Sequence, residues 1–256
     1  MIDAHVNVTH NGKWFSTGHD ASFQRLDDQM AAAKVEKAVI ISMPGATTNA
    51  FIASLVEKYP GRFKGLGHID FSKDIRKEIN EIAAMGLSGV KIHPRLQGVN
   101  VCEAKFSLLW EELNARNMPV LVDGFYTVSN PNLRIGDLLP LAYEPMVKKY
   151  PDLTVVLAHA GAHRVMDTFF MCRSNPGFYT DISYSPSFFK GSSVYNDLRF
   201  LAEKTGNKVL FGSDFPEVSI EEAKKEFFEL SGTLDVGIRE RIAHGNAHDL
   251  FWKGLS

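Results

Sequence analysis

Met1-Ile-Asp-Ala-His-Val-Asn-Val8 opens the chain, and the reading of this stretch decides the fold. Alternate side chains of a strand share a face. Asp3, His5 and Asn7 therefore project to one side, and Ile2, Ala4, Val6 and Val8 to the other. A strand that turns polar groups inward must give them something to bind, because an unpaired buried polar group is costly. Two readings follow, a half-exposed strand with a wet face or a strand that delivers ligands to a site, and the rest of the chain decides between them.

The rest of the chain repeats the pattern. Apolar runs recur at 37–42, 63–70, 88–93, 119–124, 153–159, 178–183 and 208–214. Between them, amphipathic segments predict helices over 22–34, 48–58, 73–85, 104–116, 140–149, 162–172 and 194–205, with two more after the last strand. Eight strand–helix units predict an α/β fold of the (β/α)8 TIM-barrel type, with one domain over 1–256. A doubly wound sheet of this length would have fewer strands and a Gly-rich phosphate turn after the first one. Neither Gly-x-Gly-x-x-Gly nor a P-loop is present.

In a barrel the chemistry lies at the C-terminal strand ends. Those ends carry His5 and Asn7, Ser42, His68 and Asp70, Lys91 and His93, Asp123, His159, Asp181 and Ser183, then Ser213 and Asp214. Solvent or a local hydrogen bond explains any one of them, but not a ring of them. Imidazole and carboxylate are the ligands of a catalytic Zn²⁺ or Mn²⁺, which keeps one position for water. Such an ion lowers the pKa of its water toward 7, and Asp214 is the base expected to take the proton. Asp214 also suits the N-cap of the helix after Gly-Ser-Asp-Phe-Pro, and His163 reads as a supporting or surface residue.

A formal charge of -2, with 28 Lys and Arg against 30 Asp and Glu, leaves no basic footprint for nucleic acid or an anionic membrane. No apolar run is long enough for a bilayer, and no leader-like segment precedes the first strand. Cys102 and Cys172 lack metal-type spacing, so a cytoplasmic protein with free thiols is expected. Phe51, Leu55, Phe169, Phe170 and Met171 exceed what one helix face needs; a homodimer contact is expected, with thick core packing the alternative.

The segments Ile2-Asp-Ala-His-Val-Asn7, Gly89-Val-Lys-Ile-His-Pro94, Leu157-Ala-His-Ala-Gly161, Phe211-Gly-Ser-Asp-Phe-Pro216 and Gly245-Asn-Ala-His-Asp-Leu-Phe251 together resemble the amidohydrolase-related family, amidohydrolase family 2. That group of metal-dependent barrel hydrolases also contains aminocarboxymuconate-semialdehyde decarboxylase and pyrone dicarboxylate lactonase. The resemblance covers essentially the whole chain. It implies a distorted (β/α)8 barrel, a divalent metal that is usually zinc, and hydrolysis of a C–N or C–O bond or non-oxidative decarboxylation. By position, His5 matches the first histidine of a His-x-His pair, His159 the sixth-strand histidine and Asp214 the eighth-strand aspartate. Asn7 and Asp123 stand where histidine ligands are usual.

The metal set implied by the resemblance is therefore His5, Asn7, Asp123, His159 and Asp214, with Asp214 and His159 catalytic. Its richness in oxygen suits Mn²⁺ or Mg²⁺ better than the usual set, and the alternative is a metal-free site, as in some lactonases of the family. In other branches a strand-four lysine is carbamylated to bridge two metals. Here the histidine pair is incomplete, and Lys91, His93 and Arg95 are read instead as binders of a substrate carboxylate. The expected function is hydrolysis of an amide or lactone in a small carboxylated substrate. A decarboxylase is the alternative, and a catalytically inactive barrel kept as a binding protein is the rival class. Against that rival, so many convergent charged groups would be costly without a ligand.

Overall fold

In the computed structural model, which describes residues 1–126, 130, 131 and 133–253, β1 (Ile2–Asn7) begins a parallel sheet whose eight strands pair in chain order. They are followed by β2 (Lys37–Ile41), β3 (Phe63–His68), β4 (Gly89–Ile92), β5 (Val120–Val122), β6 (Val155–Leu157), β7 (Phe178–Asp181) and β8 (Val209–Leu210). Ser129 and Asn132 of the Pro/Asn-rich loop 129–134 lie outside the described residues. At the seam, Ala4 N–H donates to Phe211 O at 2.9 Å, Asp214 N–H to His5 O at 2.9 Å and Asn7 N–H to Phe215 O at 2.7 Å. These bonds bring β8 back to β1, and the expected (β/α)8 barrel is present.

The alternation expected for β1 is not kept. Its register shifts between Asp3 and Val6, a β-bulge that turns the strand over. Ile2 and Ala4 pack inside the barrel with Val39, Ile41 and Leu66, whereas Val6 and Val8 join the helix-facing cluster with Leu26 and Met30. Asp3 is consequently separated from His5 and Asn7. Its Oδ1 sits at the seam, accepting from His5 N–H at 3.1 Å and Ser213 N–H at 2.9 Å. No composition signal marks a bulge.

The outer layer holds α1 (Phe23–Ala33), α2 (Asn49–Lys58), α3 (Ile75–Ala84), α4 (Pro94–Gln97), α5 (Ser107–Ala115), α6 (Glu144–Lys149), α7 (Val165–Ser174), α8 (Ser185–Phe188), α9 (Ser193–Thr205), α10 (Ile220–Leu230), α11 (Val236–Glu240) and α12 (Asn246–Phe251). Ser22, Thr48, Asp74 and Ser219 cap α1, α2, α3 and α10 by accepting from a first-turn N–H. Three departures from the sequence reading have local causes. The helix expected over 140–149 is a 3-10 turn followed by α6, with prolines at the start of both pieces. The helix expected at 162 starts at Val165, because the chain before it has positive φ at His159, Ala160 and Ala162. The two terminal helices expected are three, α10 to α12, with a π turn over Arg241–Gly245.

Phe251 of α12 packs with Ile2, Val39, Leu121 and Leu210 inside the barrel, opposite the end that bears the polar groups. Leu55 and Met171, expected as surplus surface, lie in the core, while Phe170 is 58% exposed. Cys102 and Cys172 are unpaired, and burial pushes both thiols up to about 12. No helix among the described residues is long and apolar enough to cross a membrane.

Candidate active site

β5, β6 and β8 end earlier than the sequence suggests, and their functional side chains stand just past the last paired residue. Asp123 follows β5, His159 follows β6 and Asp214 lies beyond β8. His159 and Asp214 have φ of 60° and 64°, a region that non-glycine residues seldom adopt. Backbone bonds hold both, His159 N–H to Asp181 Oδ1 at 3.0 Å and Asp214 N–H to His5 O at 2.9 Å. Gly124 allows the close approach of the chain after β5 to that after β6, since a Cβ there would lie 2.4 Å from Ala158 O. The result is a cavity of about 330 Å³ at the barrel mouth, lined by His5, Lys91, His93, Arg95, Asp123, His159 and Asp214 among others.

One side of this cavity rests on a hub at Asp181. Its Oδ2 lies 3.0 Å from His5 Nδ1, and its Oδ1 accepts from the backbone N–H of His159 and Ser183, both at 3.0 Å, and from the Ser183 hydroxyl at 2.5 Å. Ser183 Oγ also lies 3.1 Å from His5 Nδ1 and 3.0 Å from His159 Nδ1. A serine has one proton, and Asp181 receives it, so toward the rings Ser183 can only accept. Both Nδ1 atoms therefore carry hydrogen, and both Nε2 atoms meet the groups on the cavity side. His5 Nε2 stands 3.4 Å from Asp214 Oδ1, and His159 Nε2 stands 3.2 Å from Asp123 Oδ1.

The electrostatics separate the two rings. Burial lowers the pKa of His5, and Asp181 only partly offsets it. Burial also opposes the charging of His159, but the hydrogen bond to Asp123 and the charges of Asp214, Asp123 and Asp181 outweigh it and raise the ring to about 9. Burial pushes the Asp181 carboxyl up, and the neighbouring His5 and His159 rings and the Ser183 hydroxyl more than reverse this. Burial thus favours the neutral form of His5, whose Nε2 lone pair then faces the cavity, while the surrounding carboxylates favour the imidazolium of His159.

The other side carries positive charge. Arg95 Nη2 donates to Asp123 Oδ2 at 2.6 Å, with His93 Nε2 3.6 Å from the same oxygen, while buried Arg95 Nε and Nη1 have no partner among the described residues. Lys91 is 1% exposed, and its ammonium makes no hydrogen bond or ion pair with any described residue. Burial lowers its pKa, although Asp123, Asp181 and Asp214 oppose the shift. Between the two sides, Phe125 meets His159 edge-on at 5.7 Å and Tyr184 at 5.2 Å, and Tyr184 stacks on Phe188 at 5.3 Å.

All eight site residues named from the sequence collect at this mouth. Asn7 does so as a donor, with Nδ2 3.1 Å from both Asp214 Oδ1 and Phe215 O. Turning its amide over would face an oxygen against two acceptors, so the orientation is fixed. Other strand-end residues stay apart: Ser42 Oγ pairs with His68 Nδ1 at 2.8 Å, and Asp70 pairs with Lys73 at the surface. His163 is exposed, in edge contact with Tyr126. The hub role of Asp181 and Ser183 was signalled by their i, i+2 spacing, the pattern that flagged His5 and Asn7. Nothing local flagged Trp14, Phe125, Tyr184 or Glu217, which also line the cavity.

A family model for amidohydrolases matches residues 2–252. The chain belongs to the amidohydrolase family. Three solved structures show how this amidohydrolase compares with others of its fold. An uncharacterised TIM-barrel protein from Bordetella bronchiseptica is 21% identical, with 98% of each chain covered and a TM-score of 0.82. A probable 2-pyrone-4,6-dicarboxylic acid hydrolase from Acinetobacter baumannii, solved with citric acid bound, is 17% identical over 98% of each chain at a TM-score of 0.73. A 5-carboxyvanillate decarboxylase from Novosphingobium aromaticivorans, solved with bound manganese, is 14% identical over 98% of this chain and 96% of that one, at a TM-score of 0.70. No curated protein sequence matches the chain.

The manganese in that neighbour prompts a test of the donors in this amidohydrolase. His5, His159 and Asp181 form a cluster with three donor atoms within 4.8 Å of one another, the one such group among the described residues. Their Nδ1 atoms and carboxylate are already joined to each other and to the Ser183 hydroxyl, which leaves no lone pair on either Nδ1. On the cavity side the donors form two separate pairs, His5 with Asp214 and His159 with Asp123, the second also tied to Arg95. A catalytic Zn²⁺ takes three protein ligands and a water. As arranged, these residues do not fit such a centre, and the chemistry below is derived from the side chains alone.

Proposed function

We propose that this amidohydrolase hydrolyses an amide or lactone bond in a small carboxylated substrate. The observation that carries the reading is the division of the cavity into a cationic side, where Arg95 keeps N–H donors without a partner among the described residues and Lys91 is buried close by, and a lone-pair face on the other, His5 with Asp214. The substrate carboxylate takes the Lys91 ammonium and the free guanidinium N–H groups of Arg95, a charge-assisted contact. A water hydrogen-bonded to both His5 Nε2 and Asp214 gives up a proton to that pair as it attacks the carbonyl carbon. Asp181 orients His5 as the buried carboxylate of a catalytic triad orients its histidine.

The oxyanion forms near the His159 imidazolium, and its charge is stabilised there. Collapse breaks the C–N or C–O bond, and the proton taken from water goes to the leaving nitrogen or oxygen. Water is consumed, with its oxygen in the new carboxylate. A decarboxylase would use the same cationic wall but release CO2 without incorporating water. Incubation with candidate lactones and N-acyl acids in H2(18)O separates the two: label in the product acid supports hydrolysis, and unlabelled product with CO2 overturns it. In the same assay Asp214→Asn is expected to turn over about a hundredfold more slowly or worse while still binding carboxylate probes. Full activity in that variant would remove Asp214 from the mechanism.

A further inference from the structure

Glu217 follows β8 on the loop to α10 and lines the cavity from the side of Asp214. Its Oε1 accepts from the Trp14 indole N–H at 2.6 Å, and its Oε2 has His19 Nε2 at 3.7 Å. Trp14 is 4% exposed and packs with Ala21 and Met43, so the indole holds the carboxylate at the rim. Among the described residues no lysine or arginine pairs with Glu217. Lys91 sits on β4, four strands from β8 whichever way round the barrel is counted. A ligand whose carboxylate reaches Lys91 and Arg95 therefore points its other end across the mouth, toward Glu217 and Asp214.

Resting on the carboxylate-binding reading above, we propose that Glu217 makes the site selective for bipolar acids. The favoured substrate carries a hydrogen-bond donor, best an ammonium group, at the end opposite its carboxylate, and a second carboxylate there is disfavoured. An ionised carboxylate can only accept hydrogen bonds, so a donor, above all a cation, meets it favourably and another anion is repelled. Building a clash against the wrong partner is as effective a route to selectivity as improving the right one. The Tyr184 phenol, pushed up by burial and by the charges of Glu217 and Asp214, stays protonated beside them as a further polar contact.

The test uses three probes of one ring size, chosen for the aromatic wall of Phe125 and Tyr184: benzoate, 4-(aminomethyl)benzoate and terephthalate, titrated calorimetrically into the intact protein. The wild type is expected to bind 4-(aminomethyl)benzoate about tenfold or more tighter than terephthalate. Glu217→Gln should shrink that ratio to within about threefold, with benzoate affinity unchanged. Trp14→Phe, which removes the indole N–H that holds Glu217 but leaves its charge, should reduce the preference less than Glu217→Gln does. An unchanged ratio in Glu217→Gln with benzoate still bound overturns this inference and spares the carboxylate reading. Benzoate affinity indifferent to Lys91→Met, or no binding of any probe, overturns both. Should Glu217→Gln fail to fold, the wild-type ratio decides, and a value of one or less overturns the proposal.

Discussion

The hub around Asp181 and the cationic wall around Lys91 lie across the same cavity and treat their hydrogen bonds in opposite ways. At the hub each Asp181 oxygen has a partner, and Ser183 bonds with its proton and its lone pairs together. At the wall, two buried nitrogens of Arg95 have no partner among the described residues, and the Lys91 ammonium makes no hydrogen bond or ion pair with any of them. A closed network fixes geometry, whereas an open one is a buried cost that a ligand removes. Which residues orient the reaction and which bind the substrate can thus be read from where bonds are complete.

The largest effect expected from this contrast is at the hub. Asp181→Asn keeps the size but turns one of the two acceptor oxygens into a donor, which then faces either His5 Nδ1–H or the backbone N–H groups of His159 and Ser183, and so upsets the histidine tautomers. We expect kcat to fall by about 10³ to 10⁴, the scale seen when the carboxylate of a triad is neutralised, with KM changed much less. Activity within tenfold of wild type would reduce Asp181 to a structural role. At the wall the split should reverse. Lys91→Met removes one charged donor, worth about 1.5–3 kcal/mol, and should raise KM about tenfold to a hundredfold with a smaller change in kcat. A pure kcat loss would move Lys91 from binding to chemistry and erase the contrast.

The smallest expected effect sharpens the hub's own boundary. Asn7→His places an imidazole where the chain has an amide donor, next to Asp214 and His5. Zinc content after dialysis against a competing chelator should rise by about one ligand's worth, on the order of tenfold in affinity. No rise would mean that the neighbouring His5 and Asp214 cannot act as ligands even when a third is supplied.

Much of this was legible in the sequence, and the limits have physical causes. The alternation of apolar runs with amphipathic helices specified the barrel, because buried parallel strands and one-faced helices are the two patterns that periodicity reports best. Lys91, Asp123, His159 and Asp214 were found because strand ends are where such a fold exposes side chains to one cavity. Asp3 was misplaced because a bulge has no sequence signature in Ile2-Asp-Ala-His-Val and reverses every face after it. The split of 140–149 was hidden because Pro140 and Pro145 are each acceptable in a first helical turn. Trp14 and Glu217 meet only through the closure of the barrel, at a sequence separation of 203, and no local pattern encodes that distance.

The seam between β1 and β8 has one more consequence. The bonds that close it run from the amides of Ala4, Asn7 and Asp214, and their acceptors include the carbonyl of His5. The same hydrogen bonds that complete the cylinder therefore hold two of the proposed reactive groups in place. A fluctuation that parts these strands, without melting any helix, dismantles the centre. Amide deuterium uptake at Ala4, Asn7 and Asp214 should rise together under mild urea, and loss of turnover should follow that opening well before the cooperative unfolding of the chain.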